Sequence, residues 1–337
     1  DAQESRGLGD VYKRQERSNN RVLGGAIMPL FLKPIFFEKI WGGNKLNQFN
    51  YDIPSEQTGE CWGISAHPNG KNMIENGQYA GQTLDQVWND HRELFGDFPS
   101  KDFPLLCKIV DARHPLSIHV HPDDSYAYEF ENGQYGKSEC WYIIDAEEDA
   151  EIILGTSADS KETFENKIKE DAVLDAVERI KVKPGEFYFI PAGMLHSIGS
   201  GVLVYETMQS SDISYRVYDY ERNRTDGSSL EVSKALDVIQ FTANAPTIVP
   251  ETTIVENHKR SQIVSNDFFT MVKWEISGTL NYMKPREFCL ISVLEGRGQV
   301  ITDGEIFKLE KGSNFILTSE DLDSVFEGEF TLIISYI

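Results

Sequence analysis

The chain of 337 residues is 40% hydrophobic, and 54 acidic against 32 basic residues give it a formal net charge of −22. This length allows two or three domains with a substantial core, whereas the negative charge opposes binding to nucleic acid or to anionic membrane surfaces. Because the sequence also lacks an apolar run of ~20 residues, a secretory signal and a C-x-x-C pair, we expect a soluble cytoplasmic protein with reduced cysteines.

Residues 1–27 have no sustained periodicity, and we expect a leader or an artefact without stable structure there. Apolar residues at helical spacing predict three helices, over residues 83–95 with Thr83 as the N-cap, over residues 161–180 and over residues 230–239. The rest of the chain consists of short strand-like runs separated by turn residues, which is typical of β-sandwiches and barrels. The predicted fold class is mainly β.

Four potential metal ligands stand in the first part of the chain. His119 and His121 are separated by one residue, so a strand would direct both side chains to the same face. Glu139 begins the next strand-like run, and His196 follows a tight turn. A single histidine is more often a hydrogen-bonded core residue than a ligand, but three imidazoles with one carboxylate favour a divalent metal ion that can act as a Lewis acid.

An internal repeat predicts two related barrels. The run that enters a strand through Gly185 is similar to the run that enters a strand through Gly312. Eleven residues beyond these glycines lie His196 in the first copy and Asp323 in the second, so the second copy is expected to have no metal. We therefore predict a metal-binding domain with helical segments over residues 28–242 and a C-terminal barrel without metal over residues 243–337, with residues 244–256 as the connector.

Longer motifs carry a family resemblance. The run from Gly185 through Pro191, Ala192 and Gly193 to His196 resembles the second cupin motif, and the histidine pair resembles the first. The strings PLSIHVHPDD, YGKSECWYIID, FYFIPAGMLHSI and YRVYDY resemble type I mannose-6-phosphate isomerase in its short bacterial form. This resemblance implies two cupin (jelly-roll) barrels with a small helical part, one zinc ion, and the interconversion of mannose 6-phosphate and fructose 6-phosphate.

The resemblance also implies a role for individual residues. The zinc ligands of the family correspond to His119, His121, Glu139 and His196. The catalytic arginine corresponds to Arg216, and two further catalytic candidates are Glu206 and Lys137. Isomerisation through a cis-enediol requires a base that reaches two neighbouring carbons, and Glu206 is the first candidate because alternation along its strand directs it inward.

Each catalytic candidate also has a purely structural interpretation. Glu206 could be a strand carboxylate that pairs with Arg216 or Lys137. Arg216 could form a salt bridge to Asp212, Asp219 or Glu221, and Lys137, beside a glycine turn, could be exposed to solvent. Both interpretations of these residues stay open from sequence alone.

Two alternative functions use the same ligands. One is a cupin oxygenase that would use iron, and the other is a non-catalytic sugar-binding cupin. With the leading function, the expected partner is a small hexose phosphate, without nucleic acid or membrane, and the chain is expected to be a monomer or a weak homo-oligomer.

Overall fold

A computed structural model describes residues 28–222, 229–241, 248–321 and 323–337. The leader or artefact predicted for residues 1–27 lies outside the described residues, and so do residues 244–247 of the predicted connector. The fold is mainly β, as predicted. Within these four ranges, no helix is long and apolar enough to cross a membrane.

Fifteen of the described strands precede residue 219, and they are β1 (Leu30–Lys33), β2 (Ile35–Gly43), β3 (Thr58–Ile64), β4 (Ala66–His67), β5 (Gly70–Lys71), β6 (Met73–Ile74), β7 (Leu105–Ala112), β8 (Ile118–Val120), β9 (Glu139–Ala146), β10 (Glu151–Thr156), β11 (Val177–Lys181), β12 (Phe187–Ile190), β13 (His196–Ile198), β14 (Val202–Gln209) and β15 (Tyr215–Tyr218). Most of them form two antiparallel sheets, in the orders β12-β9-β14-β7-β2-β3 and β11-β10-β13-β8-β15. These two sheets are called the N-terminal unit below. Their strands contain every predicted site residue except His121, which directly follows β8, and Lys137, which lies two residues before β9.

The later strands are β16 (Glu251–Val255), β17 (His258–Ser265), β18 (Thr270–Tyr282), β19 (Cys289–Thr302), β20 (Glu305–Glu310), β21 (Asn314–Leu317) and β22 (Ser324–Tyr336). They build a nine-stranded antiparallel sheet, called the C-terminal sheet below, together with β1 and β6. β1 pairs with β21, so the boundary predicted at residues 242 and 243 is wrong for the first strand, which belongs with the C-terminal sheet. The cause is a pairing between distant parts of the chain, which local patterns do not report.

The strands of the predicted repeat are both present. β12 and β21 follow Gly185 and Gly312, which have φ values of +94° and +97°. This left-handed conformation favours glycine in both copies. Asp323, the counterpart of His196, is exposed.

The four described α-helices are α1 (Leu84–Asp90), α2 (Asp124–Phe130), α3 (Lys161–Lys169) and α4 (Val232–Val238). Thr83 is the N-cap of α1 as predicted, and its backbone N–H donates to Gln86 Oε1 over 2.9 Å. The predicted continuous helix over residues 83–95 is interrupted at His91, after which Arg92–Phe95 forms a 3₁₀ turn. α4 confirms the core of the helix predicted over residues 230–239.

The helix predicted over residues 161–180 is only half correct. α3 ends at Lys169, a 3₁₀ turn covers Val173–Ala176, and the last part is strand β11. β11 pairs with β10 at the edge of its sheet, so Val177 and Ile180 pack as strand residues. Their helical spacing was coincidental, because β-branched residues such as these also suit a strand.

The six-stranded sheet is buried on both faces, and strand alternation sorts its residues. Cys140 and Tyr205 belong to a core shared with the C-terminal sheet, whereas Trp141 and Val204 belong to the core between the two sheets of the N-terminal unit. Cys140 therefore lies on the opposite face from Glu139. The four cysteines are buried and unpaired, as predicted. The face that carries Trp141 and Val204 also carries the functional groups described next.

Candidate active site

The three predicted histidines meet inside the N-terminal unit. β8 and β13 are neighbours, and His119 lies directly opposite His196 in the register. His121 follows on the same face of β8, so each of the three imidazoles has a nitrogen within 4.8 Å of the other two. The side chains of His119 and His121 therefore lie on the same face, as their spacing predicted.

A tight turn aims His196 at the other two histidines. Gly193 has a φ of +84°, and its backbone N–H donates to His121 O over 2.8 Å. The Met194 N–H donates to Pro191 O over 3.1 Å, which closes the turn. An alanine Cβ at position 193 would lie 2.7 Å from the side chain of Gln240, so the turn needs glycine for both conformation and space.

Backbone carbonyls fix the orientation of all three rings. The Nδ1 atoms lie 2.7 Å from Ser117 O for His119, 2.7 Å from Ile213 O for His121 and 2.8 Å from Met194 O for His196. Because a carbonyl oxygen only accepts, each Nδ1 carries the proton, and the lone pair of each Nε2 is left for a metal ion.

Glu139 completes the set of donors. Its Oε2 lies 3.4 Å from His121 Nε2, and its Oε1 lies 3.2 Å from His196 Nε2. His121 Nε2, His196 Nε2 and Glu139 Oε2 are buried and have no hydrogen-bond partner in the described part of the chain. Facing lone pairs without a proton between them are satisfied by a cation, so these residues fit a divalent metal ion.

The electrostatic environment keeps the ligands in their binding forms. Burial lowers the pKa of His121 to about 3, and the nearby Lys137 charge acts in the same direction. Burial also holds the pKa of His119 well below its usual value, with the neighbouring imidazoles contributing. For Glu139, burial opposes ionisation, but the Lys137 charge and the two histidine contacts outweigh it and hold the pKa well below its usual value. Neutral imidazoles and an ionised carboxylate are the forms that bind metal.

A cavity of about 340 Å³ opens beside the metal ligands. Its lining is rich in charged and polar groups and includes His119, Glu139, the three catalytic candidates, and the additional residues Lys39, Trp41, Glu60, Lys108, Ser117, Trp141 and Asp212. The volume lies in the range of small-molecule sites. The structure therefore brings the predicted ligands and the predicted catalytic residues to one place.

Lys137 and Glu206 are buried in this cavity wall. Lys137 is 4% exposed, so the interpretation that it faces solvent is wrong. Its Nζ lies 3.0 Å from Glu139 Oε2, at an angle that does not make a hydrogen bond, and 3.7 Å from Glu206 Oε1. The pairing of Glu206 with Lys137 that the structural interpretation required is present.

Burial and the charge of Glu139 raise the pKa of Glu206 to about 8, although Lys108 and Lys137 act in the opposite direction. Lys108 Nζ lies 3.5 Å from Glu206 Oε2. Glu206 Oε1 has no hydrogen-bond partner in the described structure. A buried carboxylate with a raised pKa and a free oxygen in a cavity is a suitable proton acceptor.

Arg216 lies opposite His119 in the pairing of β15 with β8. No carboxylate of the described residues forms an ion pair with its guanidinium, and its NH1 is buried without a hydrogen-bond partner. Of the proposed salt-bridge partners, Asp219 pairs with Arg222 and accepts from Ser117, and Asp212 accepts from Asn69 over 3.2 Å. The structural interpretation of Arg216 is therefore wrong in the described part of the chain, and its cation faces the cavity.

Two buried charged residues of the cavity were not predicted from the sequence. Lys108 interrupts the apolar strand β7, and Glu60 lies in β3, where Trp62 Nε1 donates to Glu60 Oε2 over 2.8 Å. Burial opposes ionisation of Glu60, but Lys108 and Lys39 lower its pKa to about 2. The available signal was the lysine inside an apolar run, since a buried lysine needs a partner. His114, which precedes the histidine pair, is exposed.

Comparison with known proteins agrees with this geometry. The model of the catalytic domain of type I phosphomannose isomerase matches residues 30–150, and that of the mannose-6-phosphate isomerase cupin domain matches residues 259–337. The probable mannose-6-phosphate isomerase GmuF of Bacillus subtilis (strain 168) is 45% identical over 311 residues, which cover 91% of this chain and 99% of that protein. The chain belongs to the type I mannose-6-phosphate isomerase family.

Solved structures of this family have the same fold. A crystal structure of mannose 6-phosphate isomerase from Bacillus subtilis has a TM-score of 0.90 and 44% identity, covering 92% of this chain and 100% of that chain. A zinc-bound mannose 6-phosphate isomerase shares 14% identity with a TM-score of 0.74, over 92% and 99% of the two chains. These matches confirm the family resemblance and the cupin assignment.

Replacing His196 with alanine removes one Nε2 and leaves Glu139 Oε1 without its neighbour. We expect the purified His196→Ala protein to lose bound divalent metal, because the substitution leaves at most three of the four ligands. Elemental analysis by mass spectrometry after gel filtration measures the metal per chain. The matched control is His114→Ala, which should keep the metal content of the unaltered protein. Full metal content in His196→Ala would contradict the ligand assignment.

Proposed function

We propose that this protein is a zinc-dependent aldose-ketose isomerase that interconverts D-mannose 6-phosphate and D-fructose 6-phosphate. The observation that carries the proposal is a cavity in which a metal-ligand set, the buried carboxylate Glu206 and the cation Arg216, which has no ion-pair partner among the described residues, lie side by side. Curated relatives named mannose-6-phosphate isomerase match nearly their whole length, which supports the substrate pair.

Zinc suits the donor set. Three imidazoles and one carboxylate are ligands that Zn²⁺ takes readily, and His119, His121, His196 and Glu139 would hold it. When bound, the ion supplies Lewis acidity that acidifies the C–H bond beside a carbonyl and stabilises negative charge on oxygen.

The reaction needs a proton acceptor that serves two neighbouring carbons. Removal of the proton from C2 of the aldose gives a cis-enediolate. Transfer of the O2 hydroxyl proton to O1, together with return of a proton to C1, gives the ketose. We assign this transfer to Glu206, whose Oε1 lies in the cavity wall without a hydrogen-bond partner among the described residues. The raised pKa of Glu206 lies close to neutral pH, so this one group can both accept and return a proton.

Two lysines stabilise the negative charges of the buried Glu206 and Glu139 carboxylates. Lys108 and Lys137 lie 3.5 Å and 3.7 Å from the two oxygens of Glu206, and Lys137 also contacts Glu139. Unpaired buried charges cost several kcal/mol, so these cations stabilise the ionised form of the base. Lys137 also lines the cavity, from which its ammonium can donate to a substrate oxygen.

Arg216 provides a cation for the anionic substrate. The chain carries a formal charge of −22, so a hexose phosphate requires a local cationic group. The buried NH1 of Arg216 has no hydrogen-bond partner among the described residues. The guanidinium can therefore form charge-assisted hydrogen bonds to a substrate oxyanion, either the phosphate or the oxygen that becomes negative.

The alternatives of an iron-dependent oxygenase and a non-catalytic sugar-binding cupin gain no support from the relatives, which are named as isomerases. The cytoplasmic location, the monomeric or weakly oligomeric state and the absence of nucleic-acid partners remain predictions from the sequence.

Glu206→Gln tests the proton transfer. The amide cannot accept the proton, so we expect turnover of mannose 6-phosphate to fall by about 10²- to 10⁴-fold while bound metal is retained. In D₂O, the unaltered enzyme should place deuterium in the product, measured by mass spectrometry after many turnovers. The control is the exposed Glu178→Gln, which should behave as the unaltered enzyme. Near-normal turnover of Glu206→Gln would refute the assignment of the base. Deuterium in the product distinguishes proton transfer from a direct hydride shift, which incorporates none.

Arg216→Ala tests the binding of the oxyanion. Loss of one cationic donor in a buried site is expected to lower kcat/KM by about 10²- to 10³-fold, with the metal content unchanged because no ligand is altered. A coupled assay for fructose 6-phosphate measures the rate, and the exposed Arg113→Ala is the matched control. If Arg216→Ala kept normal kinetics, or lost its metal, the proposed role would be wrong.

A further inference from the structure

A second cavity lies in the C-terminal sheet, away from the active site. It has a volume of about 200 Å³, and its walls come from β16, β17, β18, β22 and the residues just after β18. The residues that matter for its chemistry are Arg260, Trp274, Tyr282 and Tyr336. It shares no lining residue with the cavity beside the metal ligands.

Arg260 is a cation without a carboxylate. Among the described residues, the polar contact of its side chain is a hydrogen bond from NH2 to Gln262 Oε1 over 3.1 Å. The next residue along the strand differs, since the exposed Lys259 pairs with Glu275 over 3.0 Å. Although the chain has 54 acidic residues against 32 basic ones, the half-buried Arg260 has no acidic partner in the part of the chain that the structure describes.

Aromatic rings form the rest of the wall. Trp274 lies directly opposite Arg260 in the pairing of β17 with β18. The rings of Trp274 and Tyr282 meet edge to face, with their centroids 6.3 Å apart, and Tyr336 also lines the cavity. Such a wall offers flat apolar surfaces to an organic group beside the guanidinium.

We propose that this cavity binds a small oxyanion, namely a phosphate group, either free or esterified to a small organic molecule, with Arg260 as its cationic partner. A guanidinium presents paired N–H donors that match phosphate oxygens. The volume is below the range usual for drug-sized ligands, so the ligand has few atoms beyond the phosphate. The site is independent of the proposed catalytic reaction, because none of the residues assigned to that reaction lines it.

The indole N–H of Trp274 reports on this cavity. The chain has five tryptophans, so five indole signals are expected in a ¹H–¹⁵N NMR spectrum of the full-length protein, and the signal absent from Trp274→Phe identifies Trp274. Inorganic phosphate and mannose 6-phosphate are titrated separately in a phosphate-free buffer. We expect a saturable shift of the Trp274 signal with at least one of these probes. Tighter binding of inorganic phosphate points to the free ion as the ligand, and tighter binding of mannose 6-phosphate points to an ester.

Arg260→Gln should weaken this binding about tenfold or more, which is the effect of losing a charge-assisted contact worth about 1.4 kcal/mol. Lys259→Gln is the matched control on the same strand and should bind as the unaltered protein. Unchanged positions of the other four indole signals check the fold, and Arg260→Lys, which keeps the charge, should bind with intermediate affinity.

The proposal is overturned if neither probe gives a saturable shift, or if Arg260→Gln binds as tightly as the unaltered protein. Isomerase activity is recorded in the same samples and should be normal in Arg260→Gln, which separates this test from that of the active site.

Discussion

The structure depends on several buried hydrogen-bond acceptors, three imidazoles and one carboxylate, that face each other in the interior of the N-terminal unit. Carbonyl oxygens hold the Nδ1 protons of three imidazoles, so their Nε2 lone pairs face the same space as the Glu139 carboxylate. Buried acceptors without donors cost about 1 to 3 kcal/mol each. Lys137 offsets part of this cost through its charge, and a divalent cation would offset the rest. These buried acceptors therefore all have a partner only when a metal ion is bound.

Strand alternation connects this site to the remainder of the molecule. On β14, Glu206 faces the cavity, whereas its neighbours Tyr205 and Thr207 face the C-terminal sheet. The Tyr205 hydroxyl donates to Ser292 Oγ over 3.1 Å, and the hydroxyls of Thr207 and Ser335 lie 2.8 Å apart. The C-terminal sheet thus supports β14 on the face opposite the cavity, and this contact fixes the position of Glu206.

Much of the site could be predicted from sequence because its information is local. The spacing of His119 and His121, the glycine turn before His196 and the alternation around Glu139 depend only on short-range geometry. Lys108 could not be placed, because its partner Glu206 is brought beside it by a pairing of strands about 100 residues apart. The same limit applies to β1, which pairs with β21 near the other end of the chain, and to residues 177–181, where sheet pairing overrode helical spacing.

X-ray absorption at the zinc K-edge of the zinc-loaded protein tests the central claim most directly. The account predicts a first shell of nitrogen and oxygen at about 2.0 to 2.2 Å, with the multiple-scattering signature of three imidazoles and no sulfur. A sulfur contribution at about 2.3 Å, or a signature of fewer than three imidazoles, would contradict the ligand set of His119, His121, His196 and Glu139.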